Sequence, residues 1–131
     1  MIVLDTHAWL WWLSSPDLLS APAHKSIDRA MADGEIAISS ISAWEVAVLV
    51  KKGRLKLTMP AEDWIARSEA LPFVRFVPVD NRIALRSTRL PGQLHDDPAD
   101  RIIVATTIAL GGTLVTKDDK LRKYPHVRTL W

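Results

Sequence analysis

The chain has 131 residues, 48% hydrophobic and 24% charged, with 17 lysines and arginines against 15 aspartates and glutamates. That supports one compact domain over residues 1–131, and a formal charge of +2 is too small to argue for a polyanionic partner by itself. The lack of cysteine excludes disulfides, thiolate metal sites and cysteine nucleophiles together, and fits the reducing cytoplasm as the expected location. No apolar stretch is long enough to span a bilayer. Asp5 and His7 interrupt the first apolar run, which has no basic leader, so no signal peptide is expected.

Residues 1–4 are apolar and rich in β-branched side chains, which predicts a buried strand. Residues 6–13 read as a helix with Thr6 as N-cap, stopping before Pro16. Residues 23–32 repeat at helical spacing, with Ile27, Ala30 and Met31 on one face and Gly34 closing the helix. Residues 36–38 predict a second strand. Residues 42–52 predict an amphipathic helix ended by Gly53, and residues 61–71 another entered through Pro60. Residues 73–79 predict a third strand, after which Asp80 caps a helix to about Arg89. A polar loop over residues 91–98 leads to a strongly apolar helix over 99–110, ended by Gly111-Gly112. Residues 113–115 predict a fourth strand, residues 118–123 a turn or short helix, and residues 127–130 an edge strand. Strands alternating with helices predict an α/β fold with a central, mostly parallel sheet flanked by helices.

In such sheets, ligands bind outside the carboxyl ends of the strands. Asp5 follows the first strand and Asp118 the fourth, while Glu45 is expected in the first turn of the helix after the second strand and Asp100 in the first turn of the helix after the polar loop, at that same edge. Each acid alone has a structural explanation. Ser42-Ala43-Trp44-Glu45 matches a capping box, Asp97 before Pro98 matches an N-cap, and Asp118 or Asp119 suits the cap of the next helix. Four acids from four distant segments at one sheet edge argue for chemistry instead. Clustered carboxylates repel, and stay ionised only when a cation joins them. Oxygen donors without sulfur select Mg2+ or Mn2+ over zinc.

The segments 1–7 (MIVLDTH), 38–45 (ISSISAWE), 97–106 (DPADRIIVAT) and 114–118 (LVTKD) resemble, in order, the motifs of the PIN-domain family, and more narrowly the VapC-type toxins of toxin-antitoxin pairs. The resemblance covers nearly the whole chain. It implies a three-layer PIN-like fold and a Mg2+-dependent endoribonuclease, with Mn2+ able to substitute. Asp5 and Asp100 fall on the positions of the main metal ligands, and Glu45 and Asp118 complete the acidic set. Thr116 and Ser39 match small hydroxyl positions that orient a carboxylate or water, and Asp97 belongs to a subgroup motif, with helix capping as its favoured role. The resemblance further implies an RNA substrate, a homodimer and a cognate antitoxin that blocks the site.

Other features rank lower. His7 and His95 are tempting bases, but hydrogen-bonded histidines are commoner, and Arg101 beside several acids reads as a structural ion-pair partner. Among the basic groups, Lys117, Lys120, Arg122 and Lys123 flank Asp118 and are the best RNA contacts. Lys51, Lys52, Arg54 and Lys56, and the helix-spaced Arg82, Arg86 and Arg89, read as solvated faces. Trp9, Trp11 and Trp12 cannot all enter one core from one short helix, so packing under a loop or against a partner is expected. Two alternatives compete with a nuclease. A Mg2+-binding phosphoacceptor domain wants an acidic pair after the first strand, where Thr6 and His7 follow Asp5. A non-catalytic PIN-like scaffold has no need of all four acids.

Overall fold

A computed structural model describes residues 1–131. Its centre is a five-stranded sheet of β1 (Ile2–Leu4), β2 (Ile36–Ser39), β3 (Val74–Val77), β4 (Thr113–Val115) and β5 (Arg128–Leu130), in the order β3-β2-β1-β4-β5. Every neighbouring pair is parallel, including the short edge strand β5. Parallel pairs need long crossovers, and helices supply most of them. The helices are α1 (Thr6–Ser14), α2 (Ala21–Asp33), α3 (Ser40–Lys51), α4 (Ala61–Glu69), α5 (Asn81–Ser87), α6 (Pro98–Leu110) and α7 (Asp119–Lys123).

The pleat of the central strands sorts side chains to two cores. Ile2 and Leu4 of β1, with Ile36 and Ile38 of β2, face one layer with Trp9, Ala23, Ile27, Val46 and Trp64. Val3 and Ala37, the alternate residues, face the other with Ile83, Ile103, Val104, Leu114 and Leu121. Both faces of the sheet are therefore covered, as an all-parallel sheet requires. No helix is long and apolar enough to cross a membrane.

Local chemistry sets the helix ends, and it corrects several expectations. Asp5, not Thr6, caps α1, because its carboxylate reaches the Thr6 amide at 2.8 Å. Helix α3 begins two residues earlier than expected, capped by Ser39. Ser42 is therefore inside the helix and buried, and the capping box with Glu45 does not form. Asp97 caps α6 through the Asp100 amide at 3.0 Å, and Asp118 caps α7. Gly34 and Gly111 take the left-handed conformation (φ 77° and 63°) that ends α2 and α6. In α2 the inward face is Ala23, Ile27 and Ala30, and Met31 lies on the exposed flank. A 3-10 turn over Pro16–Leu18 joins α1 to α2, a segment the periodicity left unassigned.

Candidate active site

The chain runs from β1 outward through β2 to β3, then crosses to the other side of β1 to lay down β4. The direction of winding thus reverses between β1 and β4, and such a switch point leaves a crevice at the strands' carboxyl ends. Asp5 and Thr116 lie at that point, one residue beyond Leu4 and Val115, which are paired in register.

Asp5 is only 4% exposed and both its carboxylate oxygens are engaged. Oδ1 accepts from the Thr6 amide, and Oδ2 accepts from the Thr116 hydroxyl at 2.6 Å. The same Thr116 oxygen accepts the Asp118 amide at 3.1 Å. One buried hydroxyl therefore ties the first acid to the backbone of the last. Asp118 turns Oδ1 toward the Lys120 and Leu121 amides, so the residue serves as cap as well as site member.

Glu45 lies in the second turn of α3, and its Oε1 accepts from the Thr6 hydroxyl at 2.6 Å. Thr6 also meets the Ser42 hydroxyl at 2.8 Å. With one proton to give, Thr6 donates it to the carboxylate. This Thr6–Ser42–Glu45 contact across α1 and α3 was not visible in the sequence, which offered Thr6 only as a cap. Asp5 taking the cap frees the Thr6 hydroxyl to turn to Glu45.

Asp100, in the first turn of α6, has Oδ2 at 2.7 Å from Nε2 of His95. His95 thus holds an acid of the set. Arg101 holds the loop carrying His95, donating to the carbonyls of Ser87 and Leu94 at 2.9 Å. Its expected role as an ion-pair partner is not what forms: it braces the polar loop through backbone oxygens. His7 also has a structural role. Its Nε2 accepts the Lys117 amide at 2.9 Å, which leaves the proton on Nδ1, 3.5 Å from Asp5. Burial lowers the His7 pKa, more than Asp5 and Asp118 raise it.

Asp5, Glu45 and Asp100 lie close enough to repel one another, and Asp118 acts on Asp100. Burial pushes the Asp100 carboxyl up to about 6, partly offset by the His95 hydrogen bond, with Asp5, Asp97 and Asp118 adding repulsion. Glu45 is raised by burial, against the pull of Thr6, with further repulsion from Asp5, Asp100 and Asp97. Two acids disfavoured as anions, with further carboxylates beside them and no sulfur, suit a hard divalent cation. No three of the acidic or histidine side chains yet surround one point as a ready coordination sphere. Both oxygens of Asp5 and one of Asp100 are held by protein partners, so a cation would enter with side-chain adjustment.

Ser39 is fully buried and caps α3 through the Ile41 amide, with no hydrogen bond to the acids. Lys117, Lys120, Arg122 and Lys123 are all exposed. Lys117 lies over the Trp11 ring, 5.6 Å from its centroid, whereas Arg122 and Lys123 line a groove with Asp119 and the chain end Thr129–Trp131. Lys51, Lys52, Arg54 and Lys56 are exposed past Glu45's helix face. Arg82, Arg86 and Arg89 border a separate cleft of about 460 Å3 on α5, with Leu90 and Ile108 in its walls.

The PIN domain family model matches residues 2–127. Ribonuclease VapC22 of Mycobacterium tuberculosis is 37% identical over 132 residues, covering 99% of this chain and 98% of that one. Two solved structures share the fold. VapBC2 of Rickettsia felis, bound to a DNA fragment from its promoter, aligns with a TM-score of 0.73 at 19% identity over 99% of this chain and 98% of that chain. FitAcB of Neisseria gonorrhoeae aligns with a TM-score of 0.72 at 21% identity over 100% of this chain and 97% of that chain. With the family model matching nearly the whole chain and a full-length relative 37% identical, the chain belongs to the PIN-domain family, on its VapC branch.

Proposed function

We propose that the protein is the toxin of a toxin-antitoxin pair and acts as a Mg2+-dependent endoribonuclease. The observation that carries this is the convergence of Asp5, Glu45, Asp100 and Asp118 at the sheet's switch point, where Glu45 and Asp100 are held in unfavourable ionisation. The VapC22 relative supplies the substrate class, RNA.

Asp5 and Asp100 are the ligands that would hold the ion, with Glu45 and Asp118 completing the set. When bound, the cation supplies charge for the leaving oxygen and an acidified water as nucleophile. The protein's own part is positional. Thr6 and Thr116 fix the two oxygens of Asp5, Thr6 fixes Glu45, and His95 fixes Asp100. Lys117 and Lys120 stand beside Asp118, where they attract the RNA backbone. The partners are a cognate antitoxin that covers the site and a second copy of the chain, and the whole of 1–131 acts as one domain.

Purified protein is expected to cleave single-stranded RNA in Mg2+ or Mn2+ and to stop in EDTA, followed by gel electrophoresis of a labelled RNA. Cleavage that persists in EDTA sinks the metal-dependent reading.

Thr116 provides a finer test. Thr116→Val removes the hydroxyl that bridges Asp5 and the Asp118 amide while keeping the buried shape. We expect metal affinity to fall by about 10- to 100-fold, with Thr116→Ser restoring most of it, as read by calorimetric titration. Equal affinities for Val, Ser and wild type would remove Thr116 from the site.

A further inference from the structure

Five of the six tryptophans are used in packing. Trp9, Trp11, Trp12, Trp64 and Trp131 each meet another aromatic ring at a centroid distance of 6.0 Å or less. These contacts within the chain account for the three tryptophans of α1. Trp44 has no aromatic neighbour and is 59% exposed, although it sits between Ser42 and Val46, both buried.

Trp44 is not isolated from the site. Trp44 and Glu45 lie one turn beyond Ile41 on the same side of α3. With Asp97, Pro98 and Ala99 at the start of α6, they enclose a slot of about 350 Å3. Glu45 belongs both to this slot and to the acid set, so the slot opens directly beside the proposed cleavage position.

We propose that this slot is a nucleobase subsite, in which the Trp44 indole stacks on one unpaired base of single-stranded RNA next to the cleaved bond. The inference rests on the ribonuclease reading. Ile41, Pro98 and Ala99 give the base an apolar wall, and stacking on an aromatic face is a general means of holding unpaired bases. A phosphate is a poor occupant, because the slot's charged residues are Glu45 and Asp97, with no cation among them. A second copy docked by the same face about a two-fold axis would bring these acids against their own counterparts. Carboxylates only accept hydrogen bonds, so a base offering an exocyclic amino group fits and a base offering a carbonyl there does not. Adenine and guanine also carry such a group, and of the two pyrimidines cytosine is therefore preferred over uracil.

The experiment measures binding of fluorescent oligocytidylate and oligouridylate by anisotropy, with Ca2+ replacing Mg2+ to suppress turnover. Trp44→Ala and Trp44→Leu are expected to weaken oligocytidylate binding by about tenfold, while Trp44→Phe keeps most of it. Asp97→Asn preserves the helix cap and is expected to remove the cytosine preference. Trp44→Leu binding like wild type overturns the proposal, since an apolar side chain without a π face would then suffice. So does a changed sedimentation coefficient of RNA-free Trp44→Ala, which would make Trp44 a subunit contact. Cleavage in Mg2+ separates the two readings. Wild type that cleaves, with Trp44→Ala equal to it in binding and in kcat/KM, ends the subsite alone. Wild type that binds RNA with the expected Trp44 dependence and does not cleave ends the ribonuclease reading, and with it the placement beside a cleaved bond, while the stacking on Trp44 stands.

Discussion

Asp100→Asn is expected to lose RNA cleavage by about 10³-fold, and, in EDTA at neutral pH, to melt at a higher temperature than the wild type. Both effects have one origin. Burial and the neighbouring acids raise the Asp100 pKa from 3.8 to about 6. Between these values the folded protein binds a proton that the unfolded chain has released. Stability therefore falls as pH rises from about 4 to about 6, and the whole deficit is present above that window. Two pKa units correspond to roughly 3 kcal/mol at most, reduced by solvent screening because the side chain is about 20% exposed. Asparagine keeps the shape and a polar contact to His95 but carries no charge, so that deficit disappears. The same substitution takes away a charged ligand, and the cleavage step loses its cation. Thermal melts in EDTA are expected to show the variant several degrees higher at pH 8 and level with wild type near pH 4. Added Mg2+ is expected to raise the wild-type melting temperature more than the variant's, because only a native state that binds the ion gains from it. A variant that melts lower than wild type at pH 8 without metal would mean that Asp100 is not held against burial and repulsion.

What the sequence revealed depended on the range of the interaction. The strand–helix alternation was legible because strands β1, β2 and β4 are short apolar runs bounded by polar residues. The parallel sheet and the edge holding the acids followed from it. Helix ends were less legible, because several hydroxyls and acids compete for each cap. Asp5 and Thr6 both suit the start of α1, and only the fold shows Asp5 taking it, with the Thr6 hydroxyl released to Glu45. Ser39 and Ser42 pose the same ambiguity three residues apart, and the earlier serine wins because β2 ends there. Contacts across the chain were out of reach. Nothing local in His95 tells that it holds Asp100, or that Arg101 reaches two carbonyls rather than an acid. The tie from Thr116 to Asp5 spans 111 positions. Its hydroxyl position was anticipated through the family resemblance, while its dual bond to Asp5 and the Asp118 amide required coordinates.

Trp9→Ala is expected to cost about 3–5 kcal/mol of folding free energy, a large part of the roughly 5–15 kcal/mol available to a domain. Trp9 is fully buried where α1, α4 and the sheet meet, with Trp64 at 4.7 Å and Phe76 at 5.4 Å between ring centroids. Truncation would leave a void bounded by rigid rings and a strand, which cannot collapse into it. The indole N–H also donates to the Ser68 hydroxyl at 3.1 Å, and that hydroxyl donates onward to the Trp64 carbonyl. Trp9→Phe keeps much of the ring and loses the first of these bonds. Ser68 retains its own acceptor, so the expected loss is about 1–2 kcal/mol. Urea unfolding of the two variants measures both values. The consequence for cleavage is smaller than for stability. Although Trp9 lies one turn beyond Asp5, the acid is fixed independently by the Val115 carbonyl accepting its amide and by Thr116 at its carboxylate. Per folded molecule, Trp9→Ala should therefore keep kcat/KM within several-fold of wild type. A loss as large as that of Asp100→Asn would mean that α1, rather than the β1–β4 pair, sets the position of Asp5.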